Sequence, residues 1–201
     1  MRLLTHLAKH ARIKGLILEL RNKSIRHRDH HEGSDTATFI HAELSKWWNE
    51  VQDSIDLDST MDMLEQEETP NELTKIHDAH LVLLNISKQE LLISLNRPLL
   101  ATNGTSHAYS AALQNCISAS QKIISTLRKS MVRRNDAVSD RSSEVMPLLI
   151  WPSLTWAIWM SCFVLIYASL ESQYPLKSCA RYAYALLLRI TLSEPLPVIE
   201  V

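Results

Sequence analysis

Glycine is the residue this chain has least use for. Three glycines occur in 201 residues. Folds of strands and tight turns usually need more, because backbone turns with positive φ favour glycine. The shortage points to helices. Charge of one sign is also missing: 21 Lys and Arg stand against 22 Asp and Glu, a formal net charge of −1. No global field therefore draws the chain to nucleic acid or to an anionic membrane. Cysteine is sparse and odd in number, with Cys116, Cys162 and Cys179 all in apolar surroundings. They read as reduced core thiols in an intracellular compartment, not as a disulfide framework. The chain has no C-x-x-C pair, no glycine-rich phosphate loop, no G-x-S-x-G elbow and no H-E-x-x-H pair. No residue stands out as a nucleophile or general base. The reading is a protein that is not an enzyme, with no cofactor and no metal site.

What is present is ordinary for a globular protein: 46% apolar and 21% charged residues. The length suits one domain with a real core. The expected fold is all-α, an irregular multi-helix bundle around a central apolar helix. Residues 1–35 read as an N-terminal helix and polar linker, 36–193 as the helical domain and 194–201 as a tail.

A first helix is expected over 3–21, with Leu3, Leu4, Leu7, Ala11 and Leu18 on its apolar face and Arg2, Lys9, Arg12 and Lys14 on a solvated basic one. A mitochondrial presequence has a similar basic, acid-free character. His6 and His10 lie one turn apart and read as solvated, since two imidazoles without a third ligand make a poor metal site. The segment 24–35, with His27, His30 and His31 beside Asp29 and Glu32, reads as an exposed loop because it has no apolar frame to fix ligands. His77, Asp78 and His80, near a helix start, pose the same question as His6 and His10 and read as solvated residues.

A second helix is expected from Thr36 or Thr38 to about Leu57. Phe39, Ile40, Leu44, Trp47, Trp48, Val51 and Ile55 recur at helical spacing. Lys46 and Glu50 are one turn apart and read as an exposed pair. The acidic run 58–70 reads as a loop, and acidic-hydrophobic runs also serve as activation peptides. A third helix spans 71–96, with Leu73, Ile76, Leu81, Leu84, Leu91, Leu92 and Leu95, and Pro98 ends it. A fourth spans 106–130, with Thr105 or Ser106 as cap and a face of Tyr109, Leu113, Cys116, Ala119, Ile123 and Leu127. A charged linker follows.

The uncharged stretch 145–170 carries Trp151, Pro152, Trp156 and Trp159. About 18 residues from Ser153 span roughly 27 Å as a helix, close to a bilayer core. A membrane anchor over 148–170 is thus one reading, and a core helix buried on all sides is the other. Cys162 has no neighbouring cation and reads as inert. A last helix is expected over 175–192.

The order of these segments resembles the fungal-specific transcription factor domain, the all-helical regulatory region that follows a zinc-cluster DNA-binding domain. Leu92, Leu95, Arg97, Pro98 and Leu100 match its L-x-L…R-P-x-L helix, with Asn96 where histidine is common. Cys116, Ala119 and Ile123 match its C-x-x-A-A-x-x-I helix, with Ser120 in place of an alanine. Trp151-Pro152 and Trp156 resemble its aromatic core helix, and Leu44-Ser45-Lys46-Trp47 its L-x-x-W segment. By resemblance, Trp47, Arg97, Pro98, Cys116 and Pro152 are motif positions with a structural role. Arg97 is expected to cap carbonyls or to pair with an acid. The zinc cluster is not found, and no basic helix suits a DNA groove. The resemblance implies a nuclear transcription regulator without its own DNA reader, which acts through the transcription machinery or a full-length regulator, does not bind DNA directly, and responds to a small-molecule effector. It also implies a partner surface at the Trp156/Trp159 helix and poor solubility of the isolated chain. The rival readings are a single-pass membrane protein and a small helical-bundle enzyme.

Overall fold

The computed structural model describes residues 2–26, 30–64, 78–101, 106–137 and 153–175. Among them are five α-helices, one 3-10 turn and no strand. The helices are α1 (Arg2–Arg26), α2 (His30–Leu64), α3 (Asp78–Asn96), α4 (His107–Ala137) and α5 (Ser153–Leu170), and the turn Arg97–Ala101 follows α3. The protein is an all-α bundle.

Its axis is α3. Leu84, Ile86, Gln89, Leu91, Ile93 and Leu95 are all buried, and so are Ser87, Glu90 and Asn96. Burial this continuous has no helical period, because helices cover α3 on two sides. On one side Leu84, Leu91 and Leu95 join Ile13 and Ile17 of α1 and Ile40, Leu44, Trp47 and Val51 of α2. On the other, Ile86 and Ile93 join Leu113, Cys116, Ile117 and Ile123 of α4 and Leu154, Ala157 and Leu165 of α5. Leu92 packs against both clusters.

One of the two sequence readings gave the 153–170 helix all-round burial, but α5 has two different faces. Leu154, Ala157, Ile158, Ser161, Leu165 and Ala168 turn inward at three-to-four spacing. Trp156, Trp159, Phe163, Ile166 and Leu170 face outward, with Leu170 77% exposed. A helix that is uniformly apolar carries no directional signal, so its composition could not say which face would be covered. No helix among the described residues is long and apolar enough to cross a membrane. A helix of 18 residues reaches ~27 Å, against a hydrocarbon core of ~30 Å.

Other boundaries moved as well. The expected linker 24–35 narrows, since α1 reaches Arg26 and α2 starts at His30. α2 continues to Leu64, through half of the expected acidic loop. α3 starts at Asp78, so Leu73, Ile76 and His77 lie outside the described residues, as do His27, Asp29, Trp151, Pro152, Cys179 and the expected last helix. The apolar face of α1 is rotated from the expected one: Leu4 and Leu18 are exposed, and His6, Ile13 and Ile17 are buried. Phe39 is likewise exposed.

α4 runs on to Ala137, into the expected charged linker, but its start and its buried face follow the sequence. Ser106 Oγ accepts the Tyr109 N–H at 3.0 Å, which satisfies one orphan donor of the first turn. Tyr109, Leu113, Cys116, Ala119, Ile123 and Leu127 are all buried. At the far end of α5, the Gln173 N–H donates to the Ala168 carbonyl at 2.9 Å and the Ser172 N–H to that of Ser169 at 3.1 Å. This is the Schellman arrangement, and Ser172 takes the left-handed position at φ 57° where glycine usually sits. In a chain so short of glycine, a serine ends the helix.

A candidate ligand cleft on the seam between two cores

α2 and α4 both pack on α3 but scarcely touch each other. The space between them is a cleft of about 330 Å³. Small side chains are part of its lining: Ser45 on α2, and Ser118 and Ala119 on α4. Leu44, Leu92 and Ala119 supply apolar lining, and Trp48 forms a wall. Lys88 and Gln89 enter from α3, Asn115 and Lys122 from α4, and His41 and Asn49 from α2. None of these described lining residues is acidic.

Lys88 Nζ lies 4.2 Å from the centroid of the Trp48 ring, within reach of a cation–π attraction. Burial lowers the Lys88 pKa below its ordinary 10.5, and the charge of Lys122 lowers it further. The Gln89 Nε2 donates to Asn85 Oδ1 at 3.4 Å, while its Oε1 is buried with no partner among the described residues. Asn115 Nδ2 donates to Asn96 Oδ1 at 3.3 Å. Asn96 Nδ2 donates in turn to the Leu92 carbonyl at 2.8 Å, so an amide relay ties α4 to the end of α3 beside the cleft.

A second polar group is sealed between α1, α2 and α3. His6 Nε2 and Ser54 Oγ are 3.3 Å apart, and Ser54 Oγ donates to the Glu50 carbonyl at 2.8 Å. The His10 ring lies 5.9 Å from that of Trp47. His10 Nε2 and Trp47 Nε1 have no partner among the described residues. Burial lowers the His10 pKa below its ordinary 6.5, with Glu90 opposing the shift and Lys14 adding to it. The expectation of solvated histidines on α1 is thus corrected: the rotated helix turns His6 and His10 inward. Its basic face is not simply solvated either. Lys9 pairs with Glu50, Arg12 with Glu43 at 3.4 Å and Lys14 with Glu90 at 3.2 Å. Glu50 is held below its ordinary 4.5, chiefly by the Lys9 hydrogen bond, so its main partner is on α1 rather than Lys46 one turn away.

The four described motif positions are spread over both cores and the turn after α3 and do not converge. Trp47 is wedged into the α1/α2/α3 core. Cys116 is fully buried in the other core, its Sγ 4.0 Å from the Ile93 carbonyl, and burial pushes its thiol up to about 12. Arg97 and Pro98 form the 3-10 turn that stops α3. Arg97 Nη1 reaches Met160 Sδ at 3.9 Å, a thioether where a carbonyl or an acid was expected. Pro152 lies outside the described residues. Among the described residues no group of three or more His, Cys, Asp or Glu is placed to hold a metal ion.

The cleft lysines Lys88 and Lys122 were not singled out in the sequence, and Trp48 was read only as part of the apolar stripe of the second helix. The signal available was Lys88, a cation in the middle of the apolar run 81–95. No protein-family model matches the chain, and neither a curated protein nor a solved structure matches it.

Proposed function

We propose that this chain is a ligand-responsive regulatory domain of the kind carried by fungal zinc-cluster transcription factors, acting in the nucleus through protein contacts. The observation that carries the regulatory part is the position of the cleft. It opens across α3, the one helix shared by both hydrophobic cores. A ligand that wedges between α2 and α4 stabilises one packing of these helices over others. Differential affinity for two packings is what a ligand needs to shift a population. The transcriptional part rests on the ordered helix, Arg-Pro, Cys and Trp segments of the sequence. The partners would be proteins of the transcription machinery or a full-length regulator.

The test is a tethering assay. The chain is fused to a heterologous DNA-binding domain and reporter output is followed while the growth medium is varied. A change in output, activating or repressing, is the expected result. Output that never departs from that of the DNA-binding domain alone would remove the transcriptional reading.

A further inference from the structure

Among the described residues, the α1 cations that cross helix interfaces are paired with acids and Arg97 reaches a thioether, whereas the two cleft lysines have no such partner. Lys9, Arg12 and Lys14 of α1 each meet a glutamate across a helix interface. Lys88 and Lys122 come from different helices into one cleft, and neither has an ion pair among the described residues. Two like charges drawn together over an apolar floor raise the energy of the empty cleft, and an anion between them lowers it. The cleft is also more than a charged spot. Trp48 holds Lys88 from behind at 4.2 Å, so part of the ammonium's reach is already ordered. Leu44, Leu92 and Ala119 offer an apolar surface next to the charge. A volume of about 330 Å³ falls at the small end of ligand pockets.

We infer that the cleft binds a small organic anion, with its carboxylate between Lys88 and Lys122 and an apolar body against Trp48, Leu44 and Leu92. A bare inorganic anion would leave the apolar lining unused. This deepens the regulatory reading above by naming the effector's class.

The full chain is titrated calorimetrically with 1-naphthoate, with neutral 1-naphthamide and with inorganic phosphate. Naphthoate is expected to bind one-to-one, and the amide and phosphate at least about tenfold more weakly, as the loss of a charge-assisted hydrogen bond or of the apolar contact implies. Lys88→Gln should weaken naphthoate about tenfold on the same grounds. Lys122→Glu, at an exposed position of α4, should abolish binding while circular dichroism shows the fold intact. Equal affinity for naphthoate and naphthamide overturns the inference, as does phosphate binding as tightly as naphthoate. Binding that survives Lys122→Glu but is lost in Phe163→Ser would place the ligand on the outer face of α5 and overturn it too. The two proposals fail separately. A chain that binds naphthoate but leaves the tethered reporter silent refutes the transcriptional reading alone. A reporter that responds in a chain without naphthoate affinity refutes the anion site alone.

Discussion

The two sides of α3 are built by different means. The α1/α2 side mixes its apolar cluster with buried histidines and crosses helix interfaces with ion pairs. The α4/α5 side is larger and nearly all apolar. Its polar link between α4 and α5 joins the hydroxyls of Tyr109 and Tyr167, 2.7 Å apart. That hydrogen bond, together with burial, pushes the Tyr109 phenol up to about 12. The difference follows from composition. α1 carries many cations and no Phe, Trp or Tyr, so its docking relies on charge complementarity in addition to burial. α5 has no charged residue and can dock by burial alone. One side should therefore respond to pH and salt and the other should not.

The largest effects test whether the two sides are coupled. Leu91→Ala empties a site on the α1/α2 side and Ile93→Ala one on the α4/α5 side. Each should cost about 2–5 kcal/mol in denaturant unfolding. Because both residues belong to α3, the transition should stay single whichever side is damaged. Two separated transitions in either variant would show that the sides unfold independently.

Acid should act next, and on one side. The folded chain holds His10 below its ordinary 6.5, so the unfolded chain binds the proton first. The stability linked to His10 is complete above about pH 6.5 and is lost as pH falls from there toward the folded value. Melting temperature measured from about pH 7.5 down to 5.5 should decline over that window, and His10→Gln should flatten the decline. Glu50, held below 4.5, gives up its share only below that value, so the two losses are separable. An unchanged pH profile in His10→Gln would contradict the assignment.

Tyr109→Phe probes the apolar side. It should cost about 1 kcal/mol and remove a late-titrating tyrosine from the ultraviolet absorbance profile. The smallest effect is that of Lys9 and Glu50, whose side chains are partly exposed. A double-mutant cycle should give about 0.2–1 kcal/mol at low salt, fading at high salt. A salt-independent coupling would mean that packing, not charge, joins α1 to α2.

These same differences explain what was legible in the sequence. α4 has one buried face and a polar remainder, so every position its 3.6-residue pattern named from Tyr109 to Leu127 is buried, although Ala112, Ile117, Ser120 and Ile124, buried beside them, were not part of that pattern. α1 misled because its leucines outnumber its isoleucines, while the acids that select its orientation lie on α2 and α3, far along the chain. α3 and α5 each lack a clean period, but for opposite reasons: one is covered on nearly every side, the other is apolar even where exposed. The cleft was hidden because its two lysines are 34 positions apart, at Lys88 and Lys122, and small residues on two helices make its space. Arg97-Pro98 was read correctly as a helix stop because proline acts locally.

The double burial of α3 bears on how freely this protein can vary. A helix with one solvent face tolerates change there, so a map of permitted substitutions along α4 should rise and fall with each turn. Along α3 the map should be flat and low from Leu84 to Asn96, with Lys88 and the other half-buried positions as its few relaxations. Drift would then enter at α1, α5 and the outer side of α4 long before it reached the central helix, leaving α3 as the most slowly changing stretch of the described chain.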